Sequence, residues 1–383
     1  MSAHPLFSPP RLHHSEHDKE HRVSWVELFY DLVYVATLIQ LGNAFGENLT
    51  LNGALQFLLV FAALWWAWSG FTFYINRFIA DDLAHRALIY VQIIAVAFMG
   101  ISMEGAFGEL TAQFAVFYII VRLVLVFLYL RSLSEVPQAR PLIFRYVAGF
   151  MIGIVLWGAS AFLPQYATQL WAAALVFEVI FLLLPGTRSL QGLLPPGSPH
   201  MRERYGIFVI IVLGETFIKT ITAASGLAVD TEILALGLLS IFVVSVLWWL
   251  YFGDFEELHL RSVNFAPYVW IYAHVPLTLA LTAFGVASKK IFLSVTTHHM
   301  EEVYIYLYCG SLILYLLSMA LIDWTLDAHH KRFNRLPGYI VLGLLLMGLM
   351  VFGSHLPALT FIIIVAVAFA VLLGLEIRHS ARA

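Results

Sequence analysis

Glu215 and Lys219 lie four residues apart in an otherwise apolar run, Ile210 to Thr222. On a helix that spacing puts a carboxylate and an ammonium on one face, in the order that favours an ion pair. In a low dielectric such a pair titrates as a unit, which suits proton or ion coupling. The plainer reading is a self-neutralising pair that packs a bundle, with Gly214 beside it allowing close helix approach. Arg122, between Val121 and Leu123, is a permanent cation and requires an acid, carbonyls or an anionic ligand. Glu178, central in another apolar run, is the candidate counter-ion. Asp31 stands one turn from Glu27 on a shared face. Glu27 fits the last position of a Ser24-Trp25-Val26-Glu27 capping box. Asp31 reads either as a functional acid or as a partner for a cytoplasmic arginine such as Arg22 or Arg86. His274 with Pro276 places a titratable ring beside a kink, and the plainer reading is a hydrogen-bonded packing residue.

These residues form a binding set for a small polar solute or ion, not a catalytic constellation. There is no P-loop, nucleophile elbow or dinucleotide fingerprint, so neither an ATP-driven pump nor another enzyme is expected. No cofactor or metal is expected either. His298-His299-Met300-Glu301-Glu302 lacks the H-E-x-x-H spacing of a zinc helix.

The elements that position such groups are membrane helices. Of 383 residues 12% are charged and 61% hydrophobic, with mean hydropathy +0.85. A soluble domain is about a quarter charged, so the composition excludes an ordinary cytosolic enzyme. The net charge of −3 gives no reason to expect a nucleic-acid partner. The lone Cys309 excludes an intrachain disulfide. Twelve apolar segments, near 24–46, 50–75, 85–104, 110–132, 141–162, 166–184, 203–225, 231–252, 264–288, 301–322, 336–353 and 356–377, are long enough to cross a bilayer as helices. The fold class is therefore all-α integral membrane, with the lipid bilayer as its solvent. Residues 1–23 form a polar tail with His4, His13, His14, His17 and His21, which reads as mobile rather than metal-binding, and no secretory signal is expected.

Loop charge sets the orientation. If the amino terminus and every second connection share a side, that side collects every Lys and Arg except Lys289, Lys290, Arg122 and Lys219. The positive side is cytoplasmic, so both termini, including the tail 378–383, face the cytoplasm. The Pro- and Gly-rich stretch 185–202 separates six spans (24–184) from six (203–377). Leu64-Trp65-Trp66 and Leu247-Trp248-Trp249, Asp31 and Glu215, Arg77 and Arg261, and Tyr90-x-Gln92 and Tyr272-x-His274 match in one register to within a residue or two. This suggests a duplication into two parallel six-helix halves. By analogy with two-half transporters, spans 1, 4, 7 and 10 would line a cavity, the last adding Tyr304, Tyr308 and Ser311. The Gly149-to-Gly153 GxxxG reads as helix packing. A transporter is the leading reading, with an ion channel or a non-transporting envelope protein as alternatives.

Three motifs carry a resemblance. Glu27-Leu28-Phe29-Tyr30-Asp31-Leu32-Val33-Tyr34-Val35 resembles the ELFFDLVFV signature of the bacterial low-temperature-requirement A family, with Tyr30 in place of Phe. The run from Arg204 to Glu215, with Gly206 and Gly214, resembles that family's RxGxxxIIxLGE signature. Tyr272-Ala273-His274-Val275-Pro276 resembles its YxHxP element. The resemblance covers residues 22 to 375 and implies a polytopic protein of the bacterial cytoplasmic membrane, with motif residues Glu27, Phe29, Asp31, Gly206, Gly214, Glu215, His274 and Pro276. The family name refers to growth at low temperature and implies no chemistry.

The charge pattern predicts an accessibility experiment. With Cys309 replaced by Ser, a single cysteine placed in 46–50 is labelled by an impermeant maleimide on intact cells. One placed in 185–200 is labelled only after lysis. The reverse pattern would overturn the orientation.

Overall fold

The computed structural model describes residues 6–12, 23–80, 82–193, 198–225, 227, 230–253, 255, 260–261, 263, 265–297, 299–327 and 334–380. The elements run β1 (Arg11–Leu12), α1 (Trp25–Glu47), α2 (Leu51–Arg77), β2 (Phe78–Ile79), α3 (Leu83–Ile101), α4 (Thr111–Glu135), α5 (Arg140–Phe162), α6 (Ala167–Leu183), α7 (Pro185–Leu193), α8 (Ser198–Ala224), α9 (Thr231–Phe252), α10 (Ala266–Leu293), α11 (Glu302–Thr325), α12 (Leu336–Phe352) and α13 (Ala358–Ser380). All but α7 are long and apolar enough to cross a bilayer, and they coincide with the twelve expected spans. Charged groups mask helix ends from hydropathy: α10 continues through Lys289 and Lys290, whose stems can lie along apolar surface. Within the expected linker, α7 forms from Pro185, a residue whose fixed φ suits a first helical position.

Helix starts follow local chemistry. Ser24 caps α1 in a full capping box: its hydroxyl accepts from the Glu27 amide, and Glu27 accepts from the Ser24 amide. The side chains of Thr50, Asp82 and Asp230 cap α2, α3 and α9 by accepting from the amide three residues on.

The contacts divide the chain into two compact units, Met1–Phe208 and Val209–Ala383, with the boundary inside α8. In the first, α1 packs on α2 and α3, α3 on α4, α4 on α5, α5 on α6, and α2 against α4 and α6. In the second, α10 packs on α11, α11 on α12, and α13 on α9 and α12. Lipid tails are as apolar as leucine, so close packing and hydrogen bonds must hold these helices together. Thr37 supplies both, donating to the Val96 carbonyl at 3.1 Å while bare Gly100 lies against it. An aromatic column fills the first unit: Tyr118 stacks on Trp157 at 3.9 Å, and Trp157 on Trp171 at 4.6 Å. Apolar side chains such as Leu238 and Val341, each 69% exposed, face outward, as a bilayer environment requires.

The tail departs from expectation. Residues 6–12 are held on the first unit, where Arg11–Leu12 pairs antiparallel with Phe78–Ile79. The Ser8 amide donates to Asp82 Oδ2 at 2.8 Å, and Arg131 donates to the Ser8 carbonyl at 2.8 Å and pairs with Asp82. Asp82 also caps α3, accepting from the His85 amide at 2.7 Å. Burial raises its carboxyl, but hydrogen bonds from Arg131, Ser8 and His85 outweigh that and hold it well below the usual carboxylate range. The tail histidines lie outside the described residues, as does His298.

Asp82→Asn keeps a capping oxygen but removes the charge that Arg131 holds. It is expected to cost about 1–3 kcal/mol of local stability. Amide hydrogen exchange across 6–12 and 78–79 should accelerate while the first turn of α3 stays protected. Unchanged exchange in the strap would refute the clamp.

Candidate functional site

Two residues apart on a helix is about 200° of rotation, so Trp66 and Trp68 leave α2 from nearly opposite faces. Each indole meets a different carboxylate. Trp68 Nε1 donates to Asp31 Oδ1 at 2.7 Å, and Trp66 Nε1 donates to Glu178 Oε2 at 2.8 Å.

Around Asp31, the counter-cation is Arg204 rather than the expected Arg86, and Arg22 lies outside the described residues. Arg204 Nη2 donates to Asp31 Oδ1 at 2.6 Å and Nη1 to Glu27 Oε2 at 2.9 Å. Asp31 and Arg204 are fully buried. Two carboxylates one turn apart suit a planar guanidinium whose two Nη groups point in different directions. His200 Nε2 lies 3.2 Å from the same Glu27 oxygen. Tyr205 and Phe208, further along α8, pack on Trp68 at 5.0 and 4.2 Å between centroids. The first motif and the start of the second therefore meet through one arginine. Loop-charge counting had placed Arg204 at the membrane surface. The signal it missed was a pair of acids on one face with no local cation.

Arg122 finds the counter-ion expected of it. Its Nη2 pairs with Glu178 Oε2 between α4 and α6, and its guanidinium lies 4.3 Å above the Phe150 ring. A Cβ on Gly153 would collide with Glu178 Oε1, so the GxxxG of α5 seats this carboxylate as well as packing helices. Arg122 Nε and Nη1 are buried with no hydrogen-bond partner, and so is the Tyr118 hydroxyl. In the first unit, Asp31 and Arg122 thus belong to separate ion pairs rather than one charged cavity.

In the second unit Glu215 Oε1 and Lys219 Nζ are 2.5 Å apart, both nearly inaccessible. Thr216 donates to the Leu281 carbonyl of α10 at 3.4 Å. Gly285 of α10 lies close to α8, since a Cβ there would stand 3.2 Å from Thr216 Oγ1 and in ordinary contact with Lys219 Cδ. Nothing lies within 4 Å of a Cβ on Gly214, so the close approach expected there is made by Gly285 instead. His274 Nδ1 lies 2.7 Å from the Trp270 carbonyl and Nε2 lies 2.8 Å from the Tyr251 hydroxyl. A carbonyl only accepts, so Nδ1 carries the proton, and in the neutral ring Nε2 accepts from Tyr251. Pro276 follows one residue further along α10. On α11, Tyr308 packs against Phe284 and Phe361, Ser311 donates to the Tyr308 carbonyl, and Tyr304 donates to Glu301.

Sequence reasoning missed a further buried pair. Arg335 Nη2 meets Glu376 Oε1 at 2.5 Å and Nη1 donates to the Leu250 carbonyl at 3.2 Å, tying the start of α12 to α13 and α9. Glu376 in the apolar run Leu372–Ile377 was the available signal.

The sequence pattern of the bacterial low temperature requirement A protein family (LtrA) matches residues 22–374. The chain is 30% identical over 291 residues to an uncharacterized protein of Rhizobium meliloti (strain 1021), a match covering 70% of each chain. No solved structure matches it.

Gly153→Ala should push Glu178 off Arg122 and strand a buried cation, at a cost of about 3–5 kcal/mol. Thermal unfolding in detergent should show a loss similar to that of Glu178→Ala, and the double variant should add little to either. Wild-type stability of Gly153→Ala would remove the seat assigned to that glycine.

Proposed function

The chain belongs to the bacterial low temperature requirement A family, and we propose that this member is a secondary transporter, coupled to protons, for a small polar or charged solute. The observation that carries this reading is the contrast between Glu215 and the other buried acids. Asp31 and Glu178 are each held by an arginine and an indole, and arginine does not give up its proton in a protein. Glu215 has as its charged partner a single lysine, which can. It stands more than two turns from either end of α8. An intramembrane ionisable pair of this kind is a default functional candidate.

In this reading a proton neutralises Glu215 and releases Lys219, and loss of that proton closes the pair again. Arg122 contributes separately: Glu178 occupies Nη2, and the buried Nε and Nη1, which have no hydrogen-bond partner, remain as donors for an acidic group on the solute. His274 is a packing residue. The chemistry is non-enzymatic. The protein resides in the bacterial cytoplasmic membrane with both termini inside, as the loop charges favour. Recurrent packing supports a duplicated origin: α2 on α6, α3 on α4 and α4 on α5 in the first unit have counterparts in α9 on α13, α10 on α11 and α11 on α12 in the second.

A thermal-shift screen of purified protein against amino acids, organic acids, sugars, nucleosides and ions, run beside Glu215→Gln, tests the reading. A ligand at 100 times its Kd stabilises by about 2.7 kcal/mol. The expected result is a solute that stabilises the wild type and not the variant. In proteoliposomes, that solute should then drive a proton flux that Glu215→Gln abolishes at unchanged folding. Proton-coupled uptake surviving in Glu215→Gln, or conductance independent of solute, would overturn the proposal. Equal loss of protein and activity would make the pair structural.

A further inference from the structure

Arg122 and Tyr118 lie one turn apart on one face of α4, and both are fully buried in the first unit. The guanidinium carbon stands 6.0 Å from the Tyr118 ring centroid and 4.3 Å from that of Phe150. Tyr118 stacks in turn on Trp157 at 3.9 Å, so aromatic rings wall this part of the helix.

Hydrogen bonding at this wall is one-sided. Glu178 occupies Arg122 Nη2, and Trp66 gives its own donor to the same Glu178 oxygen. Arg122 Nη1 and Nε, the Tyr118 hydroxyl and Trp157 Nε1 are buried without a hydrogen-bond partner. Guanidinium and indole nitrogens only donate, so they cannot satisfy one another. Unmet buried donors are costly, and a ligand that accepts removes the cost. Gly70 of α2 places no side chain against Nη1, where a Cβ would stand 3.3 Å away.

We propose that the solute taken here is a small monocarboxylate, one oxygen accepting from Arg122 Nη1 and the other from the Tyr118 hydroxyl. Donors on two side chains a turn apart call for two linked acceptor atoms, which a carboxylate has and a halide lacks. Glu178 already balances Arg122, so every further negative charge is uncompensated, which favours one charge over two. The inference deepens the proposed function and rests on its assignment of Arg122 to the acidic group of the solute. It adds Tyr118 to the site and draws on neither Glu215 nor Lys219.

Propionate, propionamide and chloride, titrated calorimetrically into the full-length protein in detergent, test the site where no gradient exists. Propionate should bind. Propionamide, nearly the same shape without the charge, and chloride, a single acceptor atom, should not at the same concentrations. Tyr118→Phe removes a hydroxyl that has no hydrogen-bond partner, so thermal stability without solute should not fall. Propionate should nevertheless bind this variant about tenfold more weakly, the scale of one hydrogen bond to a charged group. Tyr306→Phe, in the second unit, should leave binding unchanged. No propionate binding at millimolar concentrations, equal binding of propionamide or chloride, or binding indifferent to Tyr118→Phe would each overturn the inference. Propionate binding without proton-coupled uptake would leave it standing and overturn the transporter reading. Uptake of another solute that depends on Glu215, in a protein blind to propionate, would do the reverse.

Discussion

A charge inside a bilayer must be answered by another charge, because hydrocarbon offers neither water nor ions to screen it. Much of the architecture within each unit follows from that constraint. Glu27 and Asp31 draw Arg204 into the first unit, Glu178 draws Arg122 across from α4 to α6, and Arg335 ties three helices of the second unit together. Between membrane helices the hydrophobic effect supplies little discrimination among registers. These ion pairs act as registration points: slipping α6 by one residue would carry Glu178 away from both Arg122 and Trp66.

The indoles and glycines around the pairs serve the same end. A guanidinium alone leaves carboxylate lone pairs unmet, and a buried acceptor without a donor is costly. Trp66 and Trp68 each add a donor to one carboxylate from two sides of one helix, which makes α2 an axis of the first unit, while Asp31 Oδ2 has no hydrogen-bond partner. Gly153 works by omission, leaving room for a glutamate head where a methyl group would intrude, and Gly285 lets α10 lie close to Thr216 of α8.

What was legible in the sequence depended on range. The twelve spans were, because bilayer thickness sets their length. Glu215 with Lys219 was legible from spacing within one helix, and so was the Ser24 capping box. Arg122 with Glu178 was legible from need, since a central arginine demands an acid and few were on offer. Arg204 was not. Its partners lie more than 170 residues away, and local hydropathy placed it with the loop cations. The seat that Gly153 provides was equally hidden, because it depends on the register between α5 and α6. The docking of residues 6–12 was missed because polar composition reads as loose chain unless a specific carboxylate such as Asp82 is known to be waiting.

The clamp between Arg204 and the two acids of α1 bears on biogenesis. Helix α1 has the lowest hydropathy of the twelve spans, 1.3, and its buried carboxylates are answered by a residue synthesised only after the next five spans have left the ribosome. Until then, Glu27 and Asp31 enter the membrane protonated, hydrated or shielded by the insertion machinery. The first unit is completed by the opening turns of the helix that begins the second. A nascent chain halted in the linker would hold six helices and still lack the cation that balances the first of them.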